Sequence, residues 1–337
     1  MPSEPVSVIV TVYNEIASID GLLATLAAQV RQPDEVVVVD GGSNDGTLER
    51  LRATVEGQGA ALVWPAGIRL TVISAPGANI SAGRNLAIRS AKGPWIAATD
   101  AGVRLEPQWL NHLMIPADAG ASWVAGFFAS DPANTFEAAL GAVTLPLESE
   151  VDPSGFLPSS RSVAYRRVDA LAAGGYPEWL DYCEDLVFDL RMVQAIGRPA
   201  FAPRAVAHFR PRTTLAAFGR QYYRYARGDG KANLFAMRHA VRYATYLVAI
   251  PMLLAAALAG RAPWSSAAWA LLAAGLLSMV WRPLARLMYR WSRMGTGARL
   301  AAIALLPVLR IWGDAAKMVG FPAGWLWRLR NRPPAWR

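Results

Sequence analysis

Four short runs of aliphatic and β-branched residues, each followed by a helical pattern, constrain this chain more than anything else in it. VSVIVT (6–11), EVVVVD (35–40), LTVIS (70–74) and WIAAT (95–99) are continuously apolar rather than alternating. A strand that is apolar on both faces must be covered on both. Between the runs, Ile16, Ile19, Leu22, Leu23 and Leu26 recur at helical spacing, followed later by TLERLRATVE (47–56) and NISAGRNLAIRS (79–90). Such alternation predicts an α/β domain with a parallel sheet, helices on both faces and right-handed crossovers. Asp40 and Asp100 then fall at the carboxyl ends of parallel strands, the edge where open α/β sheets bind ligands.

Residues 106–212 are punctuated by Pro and Gly and read as less regular, with a strand expected at SVAYRR (162–167) and a helix over DLVFDLRMVQAIG (185–197). From Thr213 or Thr214, either of which can cap it, a helix carries Leu215, Phe218, Tyr222 and Tyr225 on one face. On another face Arg220, Arg224, Arg227 and Lys231 align, as expected of a helix lying on anionic lipid or facing an anionic substrate. No internal repeat or low-complexity tract stands out.

The composition then changes. The net charge of +9 is concentrated in residues 243–337, which hold 12 Lys and Arg against a single acid, while residues 1–242 hold 22 against 24. A basic chain raises the question of nucleic acid, but here the cations flank apolar runs, which points to a membrane and excludes nucleic acid as the expected partner. Eighteen uncharged residues separate Arg242 from Arg261, and twenty separate Arg261 from Arg282. Each run is about long enough to cross a hydrocarbon core of roughly 30 Å. Arg282, Arg286, Arg290 and Arg293 crowd one end of the pair, which puts both chain ends in the cytosol and the 260–263 link outside. Leu300–Leu309 is too short to span and reads as an interfacial helix. The opening MPSEPVSVIV lacks the basic and apolar regions of a signal peptide, so the N-terminal part is expected in the cytosol. A single cysteine, Cys183, fits a reducing compartment. His112 and His239 read as surface or interface residues.

Several short motifs bear on chemistry. VVVVDGGSNDGT ends a strand in Asp40 and turns through glycines, where backbone can approach a ligand; a solvated turn is the alternative. TVYNE offers Tyr13 for stacking and Glu15 as an acceptor. Glu184 and Asp185 open a helix, where carboxylates cap and also complement the dipole. In order along residues 5–242, the chain resembles the family-2 glycosyltransferases. TVYNE (11–15) and VDGGSNDGT (39–47) look like the family's nucleotide-binding segments, SAGRNLAI (81–88) like its ARNxGI helix, and TDAG (99–102) falls at its metal-binding DxD. AAGGYPE (172–178) is similar to its glycine loop, CED (183–185) to its xED motif, AVAHF (205–209) to the segment of a metal-ligand histidine, and QYYRY (221–225) to QxxRW.

The resemblance implies a GT-A, Rossmann-like nucleotide-sugar-binding domain over residues 1–212. An interfacial amphipathic region at 213–242, a transmembrane hairpin at 243–281 and a basic cytosolic or interfacial tail at 282–337 complete the expected chain. It implies an inverting transfer from a nucleotide diphosphate sugar to a membrane-associated or lipid-linked acceptor, in cell-envelope polysaccharide or glycolipid synthesis at the plasma membrane. Thr11, Tyr13, Glu15, Asp40, Arg84 and Asp100 would bind the donor. Gln221, Arg224 and Tyr225 would meet the diphosphate or acceptor, and Asp185 beside Glu184 would be the general base. Gly102 stands where the DxD has its second acid. Asp100, His208 and the donor diphosphate would together hold Mg²⁺ or Mn²⁺; alternatively, Arg84 and the basic helix neutralise the diphosphate. Two other readings stay open: transfer to polyprenyl phosphate, and a membrane-tethered nucleotide-sugar-binding protein without turnover.

Overall fold

The structure, a computed structural model, describes residues 4–58 and 62–336. Residues 1–3 of the opening segment, Arg337 and the side chain of Arg293 lie outside the described residues. The chain divides into two units, one of residues 1–129, 147–210 and 336–337, the other of residues 130–146 and 211–335.

In the first unit β1 (Val6–Val12), α1 (Ile19–Ala27), β2 (Glu35–Asp40), α2 (Thr47–Val55), β3 (Arg69–Ser74), α3 (Ile80–Ser90) and β4 (Trp95–Asp100) alternate as expected. The strands pair in parallel in the order β3-β2-β1-β4, with Val12 opposite Asp40 and Thr11 opposite Asp100. The continuous apolar runs bury both strand faces. Val6, Val8, Val10 and Val12 meet Leu22, Leu23 and Leu26 of α1 on one side, while Ile9, Val37 and Val39 meet Ala87 and Ile88 of α3 on the other.

Beyond β4 the sheet departs from the parallel expectation. The described chain adds β5 (Val103–Leu105), α4 (Trp109–Asp118), β6 (Trp123–Ser130), β7 (Val163–Arg166), α6 (Arg167–Ala172), α7 (Glu184–Ile196) and β8 (Ala200–Phe209). The sheet order becomes β3-β2-β1-β4-β7-β6-β8-β5, and β7 runs antiparallel to β4. The segment read as less regular, 106–212, therefore supplies three of the eight strands of the described sheet, where one was expected. Its apolar runs are short and gain their partners only from chain distant in sequence, a context that local pattern does not carry.

The second unit is helical: α5 (Thr135–Thr144), α8 (Leu215–Ala232), α9 (Ala236–Ala244), α10 (Ile250–Leu258), α11 (Trp264–Met288) and α12 (Thr296–Asn331). Thr214 caps α8 by accepting a hydrogen bond from the Ala217 N–H at 3.1 Å. A π turn at Thr245–Ala249 joins α9 to α10. The resulting rod Ala236–Leu258 and the helix Trp264–Met288 are each long and apolar enough to cross a membrane, with only 6% and 11% of their most apolar windows buried.

Three expectations for this unit are corrected. Leu300–Leu309 is not a separate interfacial helix but part of α12, whose Ala302, Leu306 and Leu309 are buried with Phe218 and Leu287. Lys231 does not face lipid: it is buried with its ammonium 4.4 Å from the Trp327 ring centroid, because α12 covers that face of α8. His239 is not at the surface either; it is buried between Asp229 and Arg242 and stacked on Phe321. Backbones of α8 and α12 approach where side chains are absent. A Cβ at Gly320 would lie 2.2 Å from the Tyr223 carbonyl oxygen, and one at Gly324 2.0 Å from that of Arg227. Glycines four residues apart permit this close crossing.

Candidate active site

The strand ends of the first unit build the site. Asp40 is fully buried; its Oδ1 accepts from the N–H groups of Gly42 (2.8 Å) and Ser43 (2.9 Å), and its Oδ2 has no hydrogen-bond partner among the described residues. A buried carboxylate oxygen left without a donor is costly. The turn after Asp40 is laced to the turn after β1. The Asn14 N–H donates to Ser43 Oγ at 2.8 Å, the Asn44 N–H to Asn14 Oδ1 at 2.9 Å, and the Glu15 N–H to Thr47 Oγ1 at 2.9 Å. Tyr13 stands exposed just beyond β1, as a stacking platform requires. Thr11 lies on β1 between the ends of β2 and β4. The Glu15 carboxylate accepts from Ser18 Oγ and lies 4.0 Å from where a Cβ on Gly102 would be.

Arg84 joins three of the motif segments. From the buried face of α3 its Nη2 donates to Asp100 Oδ1 and its Nη1 to Glu184 Oε1, each at 2.8 Å, with the guanidinium 5.1 Å from the Tyr176 ring centroid. Its neighbour Asn85 holds the glycine loop: Oδ1 accepts from the Tyr176 N–H and Nδ2 donates to the Tyr176 carbonyl, both at 2.8 Å. Gly175 must be glycine there, since its φ is +63° and a Cβ would lie 2.5 Å from Asn85 Oδ1.

The electrostatics follow from burial and pairing. Burial works against the charge of Arg84, but Asp100 and Glu184 outweigh it and raise its pKa. Burial acts to raise Asp100, yet Arg84 and then Arg161 hold it below the usual carboxylate value. Glu184 goes the other way: burial first, then the charge of Asp185, push it up to about 7 despite Arg84. Asp189, one turn further along α7, is raised by burial and again by Asp185. Asp185 is only partly buried; its Oδ1 accepts from the Leu186 N–H at 2.8 Å, so the carboxylate sits at the N-terminus of α7.

The structure does not bring Asp100 and His208 together, against the expectation of a shared metal shell. Phe209 lies under the Arg161 guanidinium, 4.6 Å from ring centroid to carbon. The His208 Nε2 lies instead 2.5 Å from Glu106 Oε1. Both oxygens of Asp100 already face guanidinium nitrogens, Arg84 at 2.8 Å and Arg161 at 3.4 Å, and Gly102 offers no side chain. Among the described residues no three His, Cys, Asp or Glu side chains gather as metal ligands. A divalent cation asks for about six oxygen-rich ligands, and the residues present do not fit it.

Gln221, Arg224 and Tyr225 lie on α8 in the helical unit; Gln221 Nε2 donates to Tyr225 Oη at 2.8 Å, and Arg224 is exposed. Sequence reasoning missed Arg161, Tyr176 and Asp189. Only the pairing of β7 with β4 could have found Arg161, for continuing the register in which Ala98 faces Val163 sets Arg161 opposite Asp100.

Comparison with known proteins bears on the fold and the family. The family described as Glycosyl transferase family 2 matches residues 7–157. An undecaprenyl-phosphate 4-deoxy-4-formamido-L-arabinose transferase of Aeromonas hydrophila is 35% identical over 118 residues, which cover 34% of this chain and 34% of that protein. Its counterpart from Serratia proteamaculans is 30% identical over 35% of each chain, so the match spans about a third of the length of these relatives. The succinoglycan biosynthesis protein ExoA of Rhizobium meliloti is 26% identical over 66% of this chain and 68% of its own. Among solved structures, the mannosyltransferase PcManGT from Pyrobaculum calidifontis in complex with GDP-Man and Mn²⁺ superposes with a TM-score of 0.60 at 22% identity, covering 94% of this chain and 87% of that one, a likeness of fold. Residues 7–157 are thus similar to glycosyl transferase family 2, and the fold is of the GT-A kind.

Proposed function

We propose that the chain transfers a sugar from a nucleotide diphosphate sugar to a lipid-linked or membrane-associated acceptor, with inversion at the anomeric carbon. The observation that carries this reading is Asp40: a buried carboxylate oxygen without a partner, at the ligand-binding edge of a parallel sheet, asks for a hydrogen-bond donor such as a base N–H or ribose hydroxyl. Tyr13, Glu15 and Thr11 border the same edge. In the reaction the bond from the anomeric carbon to the diphosphate breaks, and its electron pair leaves with the phosphate oxygen. The acceptor oxygen bonds to the opposite face of that carbon, and its proton passes to Asp185. A positioned carboxylate base contributes about 10²–10⁴-fold. Arg84 holds Glu184 beside Asp185, which fixes the start of α7.

The two long apolar helices support anchoring in a membrane, with the catalytic unit and both chain ends on the cytosolic side by the distribution of arginines. The undecaprenyl-phosphate transferases among the relatives favour one narrower reading, a polyprenyl phosphate acceptor. Such an acceptor is already ionised and would not need Asp185 as a base. The test is a screen of nucleotide sugars for binding and hydrolysis by the full chain in detergent. One donor should bind and be slowly hydrolysed. Binding without hydrolysis or transfer would favour a binding protein, and no binding at all would remove the reading.

A further inference from the structure

We infer that a guanidinium takes the place of the metal in this site: Arg161, with Arg84 behind Asp100, receives the donor diphosphate, and nucleotide binding is independent of divalent cations. The inference rests on the nucleotide-sugar reading above. Arg161 is set opposite Asp100 by the antiparallel register of β7 against β4. Its Nε lies 3.4 Å from Asp100 Oδ2, its Nη1 donates to Ser159 Oγ at 3.1 Å, and its guanidinium stacks on the Phe209 ring. A quarter of its side chain is exposed. The group is thus held in place but open on one side. A cation bound at Asp100 would displace or crowd two guanidinium groups of like charge. Gly102 supplies no second carboxylate to offset this, and His208 is paired with Glu106. A planar guanidinium offers paired donors that match phosphate oxygens and stays charged at all working pH values. When the sugar leaves, the charge appearing on the diphosphate would be met by Arg161, a donor fixed before the reaction.

The experiment is calorimetry of UDP, GDP, CDP and ADP binding to the full chain in detergent, in excess EDTA and in Mn²⁺, using whichever nucleotide binds. The affinities in the two buffers should agree within about threefold. Arg161→Ala should weaken the nucleoside diphosphate by about 10- to 100-fold, the worth of a charge-assisted hydrogen bond to phosphate, while the corresponding monophosphate changes by less than threefold. Arg161→Lys should recover part of the loss. A merely structural role would move both ligands alike. As a second measurement, the Mn²⁺ resonance signal in the presence of nucleotide should not change further when protein is added. Affinity at least tenfold higher in Mn²⁺, or protein-dependent loss of the free Mn²⁺ signal, overturns the inference and leaves the nucleotide-sugar reading standing. An equal effect of Arg161→Ala on mono- and diphosphate also overturns it. If no nucleotide binds in either buffer, the nucleotide-sugar reading itself falls, and this inference with it.

Discussion

Replacing Glu184 with Gln should abolish a fall in stability that the wild-type protein suffers as pH rises. Glu184 is buried against Arg84, and burial together with Asp185 moves its carboxyl from an ordinary value of 4.5 up to about 7. A carboxyl raised on folding binds its proton more tightly in the native state. Its contribution to stability is therefore fully present below pH 4.5, declines as pH rises, and is lost above about 7. Each tenfold gain in proton affinity on folding is worth about 1.4 kcal/mol, so the loss between pH 5 and pH 8 amounts to about 2–3 kcal/mol. Gln keeps an oxygen for Arg84 Nη1 but has no proton to lose. With roughly 2–4 °C per kcal/mol for domains of this size, the wild-type melting temperature should drop about 5–10 °C more than that of Glu184→Gln between those pH values. Scanning fluorimetry of both proteins in detergent, at matched ionic strength, measures the difference of differences, so that other titrating groups cancel. Parallel pH slopes for the two proteins would refute the reasoning and place an ionised Glu184 in the native state throughout.

Three further outcomes are expected. Asp185→Asn should leave donor affinity within a few-fold while turnover falls at least ~10²-fold if the acceptor is a hydroxyl; near-wild-type turnover would remove the base assignment and favour a phosphate acceptor. Gly324→Val places a Cβ 2.0 Å from the Arg227 carbonyl oxygen. It should cost roughly 2 kcal/mol or more by forcing α8 and α12 apart, read as a lowered melting temperature; an unchanged midpoint would refute the close crossing. Reporters fused after Arg337 and inserted in the 260–263 link should lie on opposite sides of the membrane, and two cytosolic signals would refute the hairpin.

Local chemistry made much of this protein legible in its sequence. EVVVVD and VSVIVT are apolar on both faces, so burial on both sides and a parallel sheet follow from composition at short range, and the strand ends then mark Asp40 and Asp100. The cap at Thr214, the long uncharged runs and the glycines beside Asp40 are likewise properties of a few adjacent residues. What the sequence left out depends on residues brought together from far apart. Arg161 has no motif of its own and becomes part of the site only because β7 pairs antiparallel with β4 across a gap of some sixty residues. His208, expected as a metal ligand within AVAHF, meets Glu106 instead, a partner that the motif does not carry. Lys231 looked like a lipid-facing cation until α12 covered it. Propensity and polarity act over a few residues and can be read directly, whereas strand pairing and helix covering decide which face, partner and charge a side chain meets, and those are settled only when the whole chain has folded.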